Sequence, residues 1–267
     1  MRINVKAYSE LGTSAAIIPS MKMLGKIALV TGAAHRVGRA IALALAKEGA
    51  DVVVHYGSSA SAAQDVAREI ESLGRRTLLH QADMGSWAAA ESLGDAALAW
   101  QGRVDLLVNS AATFNTAGLL EATEADFDMA FDVNIKGVYA LSRVIGRAML
   151  GYAGVSNIIN IVDEGAFFPW KGYVPHGVSK AALLALTRAQ ALNLGPKVRV
   201  NAICPGPILK PPDYSEERWQ ALRKTNPLHE LGSAEQVAET VVFLATGPQF
   251  INGDCIMLDG GRMWQHQ

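Results

Sequence analysis

IALVTGAAHRVG, residues 27–38, joins a four-residue apolar run to a turn bounded by Gly32 and Gly38. A short run that is apolar throughout, rather than at alternate positions, reads as a strand buried on both faces. The residues that follow, Arg39–Glu48, have the spacing of an amphipathic helix. A strand that turns through glycine into a helix aims backbone N–H groups and the positive end of the helix dipole outward, where a pyrophosphate binds. Apolar runs of the same kind recur at Val52–Val54, Thr77–Leu79, Val104–Val108, Ile158–Val162, Val198–Ile203 and Cys255–Leu258. Helical spacing recurs at Ala62–Leu73, Asp126–Met149 and Ala181–Leu194. This alternation predicts an α/β fold, a single doubly wound (Rossmann) parallel sheet of about seven strands, with functional residues just past the C-terminal strand ends.

Composition narrows the function. Half of the 267 residues are hydrophobic and 25 are glycine, which suits one well-buried domain with tight turns. The net charge of −1 gives no basic footprint, so nucleic acid is not an expected partner. No apolar stretch approaches the ~20 residues of a membrane span, so no membrane association is expected either. Cys204 and Cys255 each lie in or beside an apolar run and read as reduced thiols of a cytoplasmic protein. Residues 1–22 read as an N-terminal extension ahead of a domain spanning 23–267.

The chemistry concentrates in DEGAFFPWKGYVPHGVSK, residues 163–180. Asp163 lies thirteen places before His176, and Lys180 four places after it. With TGAAHRVG at 31–38, this spacing resembles the Ser…Tyr-x-x-x-Lys arrangement and TGxxxGxG turn of the short-chain dehydrogenase/reductase family. Three letters depart from the family pattern: Asp163 replaces serine, His176 replaces tyrosine and Arg36 replaces the middle glycine. Arg36, Asp163 and a phenylalanine after the fourth strand, Phe114, together resemble the pteridine reductase subgroup.

The resemblance implies a nicotinamide cofactor held by Gly32, His35, Arg36, Val37 and Gly38 on the first turn and by His55, Tyr56, Ser58 and Ser59 after the second strand. The second strand ends without the acidic residue that favours NAD, and Arg36, turned outward toward the adenosine, would grip a 2′-phosphate, so NADP(H) is the expected cofactor. Arg36 is otherwise a solvated surface residue, and Ser58 and Ser59 serve equally well as helix caps. Asp83, beside Met84, matches the residue that accepts from the adenine amino group, and also reads as a turn aspartate. Asn109, Ser110 and Ala111 resemble the small-residue turn under the cofactor. Pro205, Gly206 and Ile208 resemble the turn that faces the nicotinamide, with a mobile substrate lid from Leu209 through Trp219. Asn134 matches the asparagine that holds a water joined to the active-site lysine, on a helix expected to build a homotetramer.

Phe114 and Tyr173 are expected at the substrate, with Phe167, Phe168 and Trp170 completing an aromatic pocket; a lone loop phenylalanine also serves plain packing. Tyr173 is a poor substitute acid, because seven residues before Lys180 it is turned away from the lysine. Glu164, Asp163 and His176 match no metal-ligand spacing, and no metal is expected. For His176 three readings stand. The ring donates the proton, directly or through water, helped by Asp163; Asp163 carries the proton alone; or the site is silent. An imidazole ends ~2 Å short of where a phenol oxygen would lie, which makes reach the difficulty. The leading expectation is NADPH-dependent hydride transfer to a pterin or similar planar heterocycle, with Asn134, Asp163, His176 and Lys180 as catalytic residues. An NADP(H)-binding pseudoenzyme and a carbonyl reductase are the alternatives.

Overall fold

A computed structural model describes residues 21–211 and 214–265 of the chain. The N-terminal extension therefore lies, apart from Met21 and Lys22, outside the described residues. Seven strands form one parallel sheet: β1 (Ile27–Val30), β2 (Asp51–Tyr56), β3 (Thr77–Gln81), β4 (Leu106–Asn109), β5 (Ser156–Ile161), β6 (Val198–Pro205) and β7 (Cys255–Leu258). Their order is β3-β2-β1-β4-β5-β6-β7, so the chain reverses direction across the sheet between β1 and β4. All six pairings are parallel.

The strands are apolar throughout because both faces are covered. Ala28, Val30, Val52 and Val54 point to one side, against α1 (Arg36–Lys47), α2 (Ala60–Ser72) and α8 (Ala234–Thr246). Ile27, Leu29 and Val53 point to the other, against α3 (Trp87–Gln101), α5 (Val138–Met149) and α6 (Val174–Leu194). That is the two-residue alternation of a strand serving two cores at once.

Several helices differ from the sequence reading in ways that matter to the site. The expected helix Asp126–Met149 is α4 (Glu124–Phe131), a π-helical segment Asp132–Gly137, and α5. Thr123 and Asp126 form a reciprocal capping box that starts α4. The wider π turn carries Asn134 inward and lets Gly137 pass against the Met84 carbonyl, where a Cβ would overlap it. Helix α6 begins seven residues earlier than Ala181, so the segment read as a loop before the helix is its first two turns. Pro175 is the reason: a proline at a first helical position has no N–H to lose and a φ already suited to the helix. Helix α8 went unmarked, although Ser233 and Gln236 form a second capping box ahead of it. Helix α7 (Glu216–Ala221) lies after β6. No helix among the described residues is long and apolar enough to cross a membrane.

Candidate active site

A cavity of about 1650 Å3 opens along the C-terminal edge of the sheet, where the strand order reverses. It exceeds the roughly 300–1,000 Å3 of a site for one small ligand and suits a dinucleotide with a second molecule beside it.

The first half is built from the ends of β1, β2 and β4. Gly32 has a φ of 65°, and a Cβ there would come within 3.0 Å of the Ala111 Cα. At Gly38 a Cβ would overlap the Gly32 carbonyl oxygen, so glycine is required where α1 crosses its own entry turn. His35, the N-cap of α1, makes no side-chain cap bond, which leaves the first-turn N–H groups of a twelve-residue helix to an anion. The Thr31 hydroxyl oxygen accepts from the N–H groups of Ser110 and Ala111, both at 3.0 Å, and ties β4's turn to β1's. This cradle, closed to any side chain at Gly38 and uncapped at the helix end, fits a pyrophosphate-linked dinucleotide.

Most residues expected at the cofactor line this half: Gly32, His35, Val37, Gly38, Tyr56, Ser58, Ser59, Asp83, Met84, Ser110 and Ala111. Ser59 caps no N–H of α2 with its side chain. Asp83 accepts from Gly85 N at 2.8 Å, the turn role, while still facing the cavity.

Three expectations need correction. His55 reaches the cavity, but both ring nitrogens serve the backbone: Nδ1 accepts from Gly32 N at 3.1 Å and Nε2 donates to the Ala82 carbonyl at 3.0 Å. Burial holds its pKa below the ordinary range, so it is a neutral brace for the glycine turn. Asn109 does not line the cavity, because its amide turns inward to donate to Asn160 Oδ1 at 2.8 Å. Arg36 does not turn toward the adenosine end. Its backbone is left-handed, with a φ of 51°, and its guanidinium crosses to the carbonyls of Leu209 and Lys210 at 3.2 and 3.4 Å.

The second half centres on β5 and α6. Asp163 follows β5 directly, and Pro175 starts α6 so that His176 and Lys180, one turn apart, share a face. His176 Nε2 donates to Asp163 Oδ2 at 2.6 Å, and Nδ1 donates to the Thr113 carbonyl at 2.8 Å. Both partners only accept, so the ring is fully satisfied when both nitrogens carry protons. Burial alone would raise the Asp163 carboxyl, but the His176 hydrogen bond, the Lys180 charge and the Gly165 N–H hold it below the usual carboxylate range. The His176 side chain is 2% exposed and that of Asp163 19%, so the carboxylate is the member of the pair that a ligand reaches first. The carboxylate thus extends the short ring toward the cavity by one hydrogen bond.

Lys180 donates to the Ile161 carbonyl at 2.8 Å. Burial pulls its pKa down, and the Asp163 charge opposes that. Asn134 makes its direct contacts elsewhere than at Lys180: Oδ1 accepts from Thr113 N at 2.9 Å, and Nδ2 donates to Ser179 Oγ at 2.9 Å. It therefore fixes the carbonyl that receives His176 Nδ1. Thr113 and Ser179 escaped the sequence reading, since a backbone carbonyl leaves no mark in side-chain identity.

Phe114 stands over this pair, its ring 4.7 Å edge-on from His176 and 4.7 Å from Tyr173, with Trp170 at 6.3 Å. Tyr214 and Trp219, from the segment after β6, line the same cavity. Phe167 and Phe168, expected in this pocket, do not line it. Pro205, Gly206 and Ile208 do.

Glu164, weighed in the sequence only as a metal ligand, is a buried acid in the cavity wall. It pairs with Arg262 through Oε2, while Oε1 packs against Gly206 and has no hydrogen-bond partner among the described residues. Burial outweighs the Arg262 charge, and Asp259 and Asp163 add to it, raising Glu164 from 4.5 to about 7. A raised folded pKa favours the protonated form, so this contribution to stability is complete below about 4.5 and is lost as pH rises through about 7. The difference is on the order of 3 kcal/mol. Glu164→Gln keeps the acceptor for Arg262 and cannot ionise. Between pH 5 and pH 8 the Tm of the variant should rise relative to wild type; equal pH dependence of the two would show that Glu164 is ionised throughout.

Comparison with known proteins agrees with this geometry. A family model described as enoyl-(acyl carrier protein) reductase matches residues 32–262. The 3-oxoacyl-[acyl-carrier-protein] reductase of Synechocystis sp. is 33% identical over 245 residues, covering 90% of this chain and 98% of that protein. A short chain dehydrogenase from Burkholderia cenocepacia, solved in complex with NADP, is 35% identical with a TM-score of 0.84, covering 91% of this chain and 99% of the other. A blue fluorescent protein from a metagenomic library, solved with NADPH, is 32% identical with a TM-score of 0.84, covering 90% and 99%. With its glycine turn, seven-stranded parallel sheet and lysine-bearing α6 in this arrangement, the chain belongs to the short-chain dehydrogenase/reductase family of oxidoreductases.

Proposed function

We propose that the protein is an NADP(H)-dependent reductase acting on a pterin or a similar planar heterocycle, with Asp163 and His176 managing the proton as a pair. The observation that carries this reading is the 2.6 Å contact between His176 Nε2 and Asp163 Oδ2, ring buried and carboxylate facing the cavity beneath Phe114. The preference for NADP(H) is supported by the NADP and NADPH complexes of two similar structures and by the absence of an acid at the end of β2.

Bound NADPH would supply the hydride. The Gly32–Gly38 turn would hold the pyrophosphate and Lys180, with one donor on Ile161, would offer its others to the ribose hydroxyls. Moving the Nε2 proton of His176 to Asp163 leaves Nδ1–H on the Thr113 carbonyl and makes Asp163 a neutral acid, able to protonate a ring nitrogen or oxygen of the substrate. Lys180 then stands beside a neutral pair, and its charge favours release of the proton from Asp163 to the substrate, since it stabilises the carboxylate that remains. Phe114, 47% exposed, provides an apolar face for a flat ring.

NADPH oxidation by dihydropterin, measured for wild type and His176→Tyr, tests the proposal. Turnover by the wild type is expected, and activity that appears only in the tyrosine variant rejects it. Phe114→Ala should raise the KM for the heterocycle about three- to tenfold with little change in NADPH affinity, the worth of one stacked ring; an unchanged KM removes the stacking role.

One observation favours a silent NADP(H)-binding protein: both His176 nitrogens are already held by the protein. Tight NADPH binding without turnover of heterocycles or carbonyls would select that reading, and turnover of carbonyls alone would select a carbonyl reductase. A homotetramer is supported by the exposed Phe127 and Met129 of α4, Tyr139 of α5 and Val178 and Leu192 of α6, and light scattering of the purified protein reads it directly.

A further inference from the structure

We infer that Arg36 is a positioning residue for the substrate side of the cavity, a clasp that holds the segment after β6 against the dinucleotide turn. Arg36 and His229 are the two non-glycine residues with positive φ among those described. At 36 the left-handed backbone costs conformational energy that glycine would avoid. What offsets it is the reach of the side chain. The guanidinium spans the cavity to the carbonyls of Leu209 and Lys210, contacts between residues 173 and 174 positions apart. Those carbonyls belong to the start of the segment whose later residues Tyr214, Arg218, Trp219 and Leu222 line the same cavity as Phe114. Leu209 itself packs on the core beneath α1 and α8, and Gly232 N donates to Pro207 O at 3.0 Å, so the base of the segment is anchored. At Leu209 and Lys210 the backbone carbonyls are tied across the cavity to Arg36.

A planar fork suits this task. It presents five N–H donors at fixed angles, meets two neighbouring carbonyls at once, and keeps donors in hand for a phosphate, a stronger partner than a neutral carbonyl. A lysine, as a point charge on a flexible stem, cannot bridge both carbonyls in the same way. The clasp therefore links the occupant of the turn to the position of the substrate wall, whatever heterocycle or carbonyl compound the enzyme takes, and it stands or falls separately from the pterin proposal.

The test uses the full chain without cofactor, so that a role as phosphate ligand alone has no influence. Thermolysin cleavage at Ile208 and Leu209, located by mass spectrometry, should be about tenfold faster in Arg36→Gly than in wild type. Arg36→Lys should fall between them, with Tm confirming that each variant is folded; glycine at 36 relieves the left-handed strain and should fold at least as well. Cleavage in Arg36→Gly at the wild-type rate overturns the inference, including the case in which NADPH affinity drops and Arg36 proves to be a phosphate ligand only. Faster cleavage in Arg36→Gly with full protection in Arg36→Lys overturns the bridging geometry and leaves only a charge effect.

Discussion

Asp163→Asn is expected to lower kcat by about 10²–10⁴ while NADPH affinity stays within about threefold. The amide fills the same space and keeps an oxygen for the Gly165 N–H, which Asp163 Oδ1 accepts at 2.9 Å. It cannot take a proton from His176 Nε2, so it cannot become the acid that faces the cavity. His176→Ala should cost about as much by itself, since the two residues hold one transferable proton between them. The double variant should then be little worse than either single one, because groups that act as a unit give strongly non-additive losses. Losses that multiply in the double variant would mean that the two act independently. A near-wild-type Asp163→Asn would place the proton donor elsewhere, with Tyr173 the next group to examine, since it does face the cavity against Phe114.

Gly38→Ala should abolish dinucleotide binding, with at least about a hundredfold loss of NADPH affinity and a fall of several degrees in Tm. A Cβ at 38 would overlap the Gly32 carbonyl oxygen, and both atoms are backbone or bonded to it, so neither can swing aside. The turn must open, and the N–H groups of α1 then lose their aim at the pyrophosphate. Gly57→Ala is the matched control, because nothing lies within 4 Å of a Cβ there although the residue also lines the cavity. NADPH binding followed by fluorescence should separate the two variants; equal affinities would remove the glycine cradle from the account.

Much of the architecture was legible because it depends on local pattern. The runs Ile27–Val30 and Cys255–Leu258 became strands with those boundaries, since uninterrupted apolarity has few other outcomes when both faces are buried. The four-residue interval between His176 and Lys180 placed them on one face as soon as the segment was known to be helical. The start of that helix was misread because Pro175 serves equally as a breaker and as a first-turn residue, and the choice depends on what packs around it. Glu164 drew notice in the sequence only as a metal ligand that its spacing did not support. Only the closing of β6 and the Arg262 turn over it creates the burial that raises its pKa.

What the amino-acid order determined alone was the layered sheet, the edge on which the site lies and the identity of Asp163, His176 and Lys180 as the groups available there. Tertiary structure decided where those groups point. It turned Asn109 into the core and gave both His55 nitrogens to the backbone. It carried Arg36 across the cavity and brought the Thr113 carbonyl to His176 from 63 residues away. Periodicity reports which face a residue occupies, because burial acts on every turn of a helix or strand. The partner that satisfies a side chain at the end of a strand comes from a different part of the chain, and no local pattern encodes its direction.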